Sequence, residues 1–81
     1  MQETQKFIPV KEEKITAREI LTSVFDALKE KGYDPVHQLA GYLLSGDPTY
    51  ITSFRDARST VIKMERDELV EELLTSYLSS R

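Results

Sequence analysis

Few side chains in this sequence have the types and spacing that chemistry requires. His37 is the only histidine, and there is no cysteine. Neither a metal set nor a nucleophile arrangement can be assembled around it, so it reads as a surface or partly packed side chain. Gly41 and Gly46 invite a phosphate-loop reading, but they lack the lysine and the strand-to-helix setting that a nucleotide cradle needs. Turn and helix-packing roles fit them better. A glycine inside a helix costs roughly 1 kcal/mol against alanine, so Gly41 marks the close approach of another helix. Glu65, Asp67, Glu68, Glu71 and Glu72 are numerous enough for acid/base work. Such work needs a pocket that separates the pKa values of two groups, and on a helical tail these residues read as a solvated face and first-turn charges. The expectation is a protein that is no enzyme, with no catalytic residue, no metal site and no cofactor.

Two other features point to recognition. Arg55, Arg58, Lys63 and Arg66 follow a helical progression, which would place them on or near one polar side of a helix starting at Ser53. In an acidic protein such a stripe is a candidate docking surface for an acidic partner or a phosphate, and equally a set of solvated charges beside Asp56 and Glu65. Thr4 lies in a polar leading segment, where a threonine in extended chain can enter a kinase active site; a phosphate there would add about −1.5 to −2 charges beside Lys6. Thr16 is a poorer acceptor because its hydroxyl is needed as a helix cap.

The elements that must position these residues are helices. With 81 residues the chain is one domain, and a chain this short buries only about 60 % of its unfolded surface. It has no cysteine to staple it, which makes a symmetric homodimer the expected source of extra core. A net charge of −3 and a sequence pI near 5.1 argue against a general nucleic-acid binder. No apolar run is long enough to span a bilayer, and the N-terminus lacks the pattern of a signal peptide, so a cytoplasmic location without membrane insertion is expected.

Residues 1–14 read as a flexible tail and residues 15–81 as a helical domain. Thr16-Ala17-Arg18-Glu19 fits a capping box, with Ile15 placed to staple onto Ile20. Ile20, Leu21, Val24, Phe25 and Leu28 form one stripe on a first helix from Ala17 to Lys31, which Gly32 ends. Asp34-Pro35 starts a second helix, with Val36, Leu39, Ala40, Leu43 and Leu44 as its apolar face, and Ser45-Gly46-Asp47-Pro48 repeats the stop and start signals. Thr49 to Thr52 leaves room for a single turn, with Tyr50 and Ile51 in the core. A helix then starts at Ser53, with Asp56 three residues on and Phe54, Ala57, Val61 and Met64 as its apolar edge. Leu69, Val70, Leu73, Leu74, Tyr77 and Leu78 make the cleanest amphipathic stripe. Extending that stripe backward puts Glu65 or Arg66 on its apolar face, so the pattern predicts two helices with a boundary at about Met64 to Asp67. The fold class is therefore all-α: a small bundle of four main helices plus a short helical turn.

The string KGYDPVHQLAGYLLSGDPTYI from Lys31, with Asp56-Ala57-Arg58 and ERDELVEELL from Glu65 to Leu74, resembles the IreB family of small regulatory phosphoproteins from low-GC Gram-positive bacteria. The similarity runs from about Glu30 to Leu78, over half the chain. Thr4-Gln5-Lys6-Phe7 is similar to the Thr-x-x-Phe arrangement of the family's phosphorylated N-terminus. The resemblance implies a substrate of a membrane serine/threonine kinase with extracellular peptidoglycan-binding repeats, and of its phosphatase. It further implies that the unmodified protein restrains peptidoglycan synthesis, in one branch through Clp-protease turnover of the enolpyruvyl transferase that commits precursors to the wall, and that phosphate relieves the restraint. Arg58 and Arg66 match arginines that matter for regulation in the family, whereas Ser53 and Ile62 stand where a family member carries arginine. Family counterparts of His37 often have asparagine. Two rival readings stand beside this one, a nucleic-acid-associated helical protein using the same basic stripe and a purely structural dimerisation module.

Overall fold

The computed structural model describes residues 15–80, and the expected tail with Thr4 lies outside that range. The described chain is all-α, with four helices: α1 (Ala17–Glu30), α2 (Pro35–Ser45), α3 (Ala57–Val61) and α4 (Arg66–Ser79). Single 3₁₀ turns at Pro48–Tyr50 and Phe54–Asp56 connect α2 to α3.

Helix α1 is the element the others pack on; α2, α3 and α4 each lie against it. Its start is the predicted capping box: the Glu19 N–H donates to Thr16 Oγ1 at 3.1 Å and the Thr16 N–H to Glu19 Oε1 at 3.0 Å. Ile15 packs on the core beside that cap. At its end Gly32 takes φ +90°, the Tyr33 N–H reaches back to the Leu28 carbonyl at 2.9 Å, and the Gly32 N–H reaches Lys29 at 3.0 Å. This left-handed closure satisfies carbonyls that the helix end would otherwise leave unpaired and turns the chain back at once. Ile20, Leu21, Val24, Ala27 and Leu28 form the buried face; Phe25, expected there, is more than one-third exposed and Ala27 takes its place.

Helix α2 begins as predicted, with Asp34 Oδ1 accepting from the His37 N–H at 3.2 Å and Pro35 in the first turn, and it stops at Gly46, φ +79°. Its rotation differs from the expected one. Leu39 and Tyr42 are buried, while Val36 and Ala40 are exposed and Leu44 is 87 % exposed. Apolar residues at 36, 39, 40, 43 and 44 cover more of the helix than one neighbour can bury. The position that wins is Tyr42, three residues beyond Leu39 on the same face.

Beyond α2, Asp47 repeats the cap: its Oδ1 accepts from the Thr49 N–H at 3.0 Å and from the Thr49 hydroxyl at 2.7 Å. These two bonds, with a smaller contribution from the Arg58 charge, hold the Asp47 carboxyl below the ordinary range. The Tyr50 ring lies over Gly41 so closely that a Cβ there would sit 2.9 Å from ring Cζ and nearer still to two other ring atoms. The close approach predicted at Gly41 is thus made by this turn and not by a helix. Gln38 Nε2 donates to the Tyr50 carbonyl at 2.8 Å, and Ile51 is fully buried.

The helix expected from Ser53 starts four residues late. Arg55 and Asp56 both take left-handed backbone, φ +55° and +60°, and the Ser53 side chain makes no cap bond. The second boundary falls where the stripe predicted: α3 ends at Val61 and Glu65 is the N-cap of α4, with Asp67 and Glu68 in the first turn. The fully buried side chains Ile20, Val24, Leu28, Ile51, Val61 and Leu69 bring α1, α3, α4 and the connecting turns into one core. Each such side chain contributes about 1.5–3 kcal/mol of burial. In α4 only Leu69 of the predicted stripe is fully buried; Leu73, Leu74, Tyr77 and Leu78 remain exposed, Tyr77 at 67 %.

Candidate functional site

The four candidate cations do not form one stripe. The left-handed pair at 55 and 56 and the break between α3 and α4 interrupt the helical progression that would align them. Arg55 turns to the end of α1, where Nη1 pairs with Glu30 Oε1, and its guanidinium lies 5.9 Å from the Phe54 ring centre. The Lys31 ammonium sits 5.3 Å from the same ring, within the range of a cation–π contact.

Arg58 lines one groove and Lys63 with Arg66 another, and Ile62 borders both. Arg58 Nε donates to the Ile51 carbonyl at 2.9 Å, which ties α3 to the turn that carries a core residue. Arg58 also lines a groove of about 320 Å³ with Ser53, Asp56, Ser59 and Ile62. Arg66 Nη1 donates to the Leu43 carbonyl at 3.1 Å, one of the unpaired carbonyls at the C-terminus of α2. The guanidinium lies flat against Gly46, where a Cβ would stand 2.9 Å from Cζ. A cation at that helix end meets the negative pole of the α2 dipole, so Arg66 joins the start of α4 to the end of α2.

Arg66 and Lys63 share a second groove, about 380 Å³, with Tyr42, Ile62, Met64, Glu65 and Glu68. Ile62 is 57 % exposed and forms the ridge between the two grooves. Among the described residues the only salt bridges are Arg18–Glu72 and Arg55–Glu30, so these three cations have none there. Asp56, Glu65 and Glu68 interleave with them. The surface is therefore one of alternating charge about an apolar ridge, with two arginines each fixed by a bond to a backbone carbonyl. Such groups lose little side-chain freedom when they bind.

The other candidates stay apart from chemistry. The backbone N–H of His37 serves the α2 cap, Gly41 seats a tyrosine ring, and no three His, Asp or Glu side chains among the described residues are grouped to hold a metal. The grooves beside the acidic run of α4 are open, and none of its carboxylates is buried. No described helix is long and apolar enough to cross a membrane. Two features escaped the sequence: the Arg66–Gly46 contact, which joins positions twenty residues apart, and the left-handed pair, for which Asp56 gives only the weak signal of a residue type that tolerates positive φ and Arg55 none.

Residues 2–79 match the family described as IreB regulatory phosphoprotein. A UPF0297 protein of Acetivibrio thermocellus is 60 % identical over 76 residues, covering 94 % of this chain and 84 % of that one. A UPF0297 protein of Ruminiclostridium cellulolyticum is 56 % identical over 78 residues, covering 96 % and 89 %. With all but a few residues matched, this chain belongs to the IreB family of regulatory phosphoproteins.

Proposed function

We propose that this protein is a non-enzymatic cytoplasmic regulator of cell-envelope synthesis that acts through protein partners and is switched by phosphate on Thr4. A membrane serine/threonine kinase and its phosphatase set the state of Thr4. The unmodified form restrains peptidoglycan precursor synthesis by delivering an enzyme of that route to Clp-dependent turnover. Family membership supports the regulatory role. The observation that carries the docking surface is the pair of arginines, 58 and 66, each anchored on a backbone carbonyl and each lining a groove that Ile62 borders. Lys63 adds a mobile charge to that surface, and Arg55, engaged with Glu30, stands at its margin.

The protein works as a homodimer. Leu74, Tyr77 and Leu78 form an exposed apolar line on α4, and a second copy of the same line is its natural cover. A nucleic-acid partner is disfavoured by the carboxylates that interleave with the cations.

The test compares Thr4→Ala, Thr4→Glu and Lys63→Glu with the parent in partner pull-down and in growth under wall-active antibiotics. Thr4→Ala should restrain envelope synthesis constitutively, Thr4→Glu should relieve it, and Lys63→Glu should lose the partner with helicity intact. Identical behaviour of both Thr4 variants and the parent would place the switch elsewhere.

A further inference from the structure

We infer that Ser53–Asp56 is a latent first α-turn of α3, held as a left-handed 3₁₀ turn by a latch on the end of α1, and that its conversion to right-handed helix brings Arg55 onto the face of Arg58 and Ile62. The strain is local and specific. Two consecutive residues with side chains sit at φ +55° and +60°, a region that L-residues avoid because Cβ crowds the following carbonyl. Nothing in the sequence requires it: Ser53-Phe54-Arg55-Asp56-Ala57-Arg58 contains neither glycine nor proline, and Ser53 with Asp56 has the spacing of an N-cap and its N3 partner. Yet the Ser53 hydroxyl caps nothing in the observed form.

What holds the turn open is equally visible. Arg55 pairs with Glu30, Lys31 and Arg55 both lie on the Phe54 ring, and the Phe54 N–H donates to Thr52 Oγ1 at 3.1 Å. The ion pair is accessible, with side chains 60 % and 55 % exposed, so salt and competing anions reach it. Coiling leaves Phe54 on the apolar edge with Ala57 and Val61, three and seven residues on, and the core need not be rebuilt. Arg55, in contrast, moves to the face it shares with Arg58 and Ile62 at the same spacing. An anionic partner segment that competes with Glu30 for Arg55 would therefore favour the coiled form, and the partner surface would be completed on binding. This consequence rests on the docking surface proposed above; the coiling equilibrium itself does not.

The experiment is solution NMR of the full chain as parent, Glu30→Gln, Arg55→Ala and Asp56→Gly. Glu30→Gln and Arg55→Ala remove the latch, and both should bring in the Hα(i)–HN(i+4) cross-peaks of an α-turn, from Ser53 to Ala57 and from Phe54 to Arg58, which the observed 3₁₀ turn lacks. Their amide–Hα couplings at residues 55 and 56 should fall to helical values, and raising salt on the parent should move it the same way. Asp56→Gly, which accommodates left-handed backbone, should hold the left-handed pattern under all conditions. Left-handed couplings that persist in Glu30→Gln, with the rest of the spectrum unchanged, would show a rigid turn and overturn the proposal. Glu30→Gln keeps every core contact, so it decides the matter even if Arg55→Ala folds poorly. Coiling in Glu30→Gln without tighter partner binding would leave the equilibrium standing and refute the docking surface alone.

Discussion

Replacing Gly46 and Gly32 separately with alanine measures how strongly Arg66 joins α4 to α2. Both glycines are left-handed, φ +79° and +90°, so both substitutions should carry the same backbone cost of about 1–2 kcal/mol. Their surroundings differ. Nothing lies within 4 Å of a Cβ at Gly32, whereas at Gly46 the new atom would meet Arg66 Cζ at 2.9 Å and Nη1 at 3.0 Å. To make room the guanidinium must leave Gly46 and give up its 3.1 Å bond to the Leu43 carbonyl. A charge-assisted bond of this kind contributes about 1.5–3 kcal/mol, toward the lower end where it is exposed. Gly46→Ala should therefore destabilise by about 1–2 kcal/mol more than Gly32→Ala, roughly a five- to thirty-fold difference in the folding constant. Urea unfolding at one fixed protein concentration gives the comparison, and the same glycine change in an Arg66→Ala background closes the cycle. With Arg66 gone, the extra cost at Gly46 should vanish. Equal costs at the two glycines, or an excess that survives without Arg66, would refute the inter-helix clamp.

Other expectations follow from the same geometry. Tyr77→Glu should convert dimer to monomer in sedimentation equilibrium without loss of helicity, because it places a charge in the exposed apolar line of α4; an unchanged mass would put the dimer contact elsewhere. Gly41→Ala should displace the Tyr50 ring and lower the thermal midpoint despite the helix propensity of alanine, and the same change beside Tyr50→Ala should be neutral or stabilising. Thr16→Ala should cost about 1 kcal/mol through loss of the α1 cap, read by thermal unfolding. The Asp47 carboxyl titrates below its ordinary value, so its contribution is present above that value and is lost as pH falls through the lowered one. Thr49→Val should raise the Asp47 pKa in an NMR titration and flatten this acid dependence; an unmoved titration would deny the Thr49 bonds that role.

Where the chain reads itself locally, the sequence sufficed. Caps need a side chain and a backbone amide three residues away, and left-handed stops need a glycine, so Thr16, Gly32, Asp34, Gly46 and Asp47 were all legible. The break before α4 was legible too, because one apolar stripe could not be continued through Glu65 and Arg66. Rotation was harder. Helix α2 is apolar on much of its circumference, and only the placement of α1 decides that Tyr42 is inside and Val36 outside. Least legible was the candidate surface. Its two arginines are placed by the backbone carbonyls of Ile51 and Leu43, and the turn at Arg55 and Asp56 overrides a good local helix signal by contacts with Glu30 and Lys31. These depend on packing between distant segments, which periodicity does not encode. The α4 stripe was correctly seen as apolar, but among the described residues only Leu69 of it is fully buried.

The most direct test of a protein that works by being recognised, under the control of one phosphate, is intact-mass analysis of the native protein from cells with and without the cognate kinase, followed by peptide mapping. One phosphate, on Thr4, present with the kinase and absent without it, is the expected result. An unmodified protein in both strains, or a phosphate that maps only within the helical domain, would contradict it.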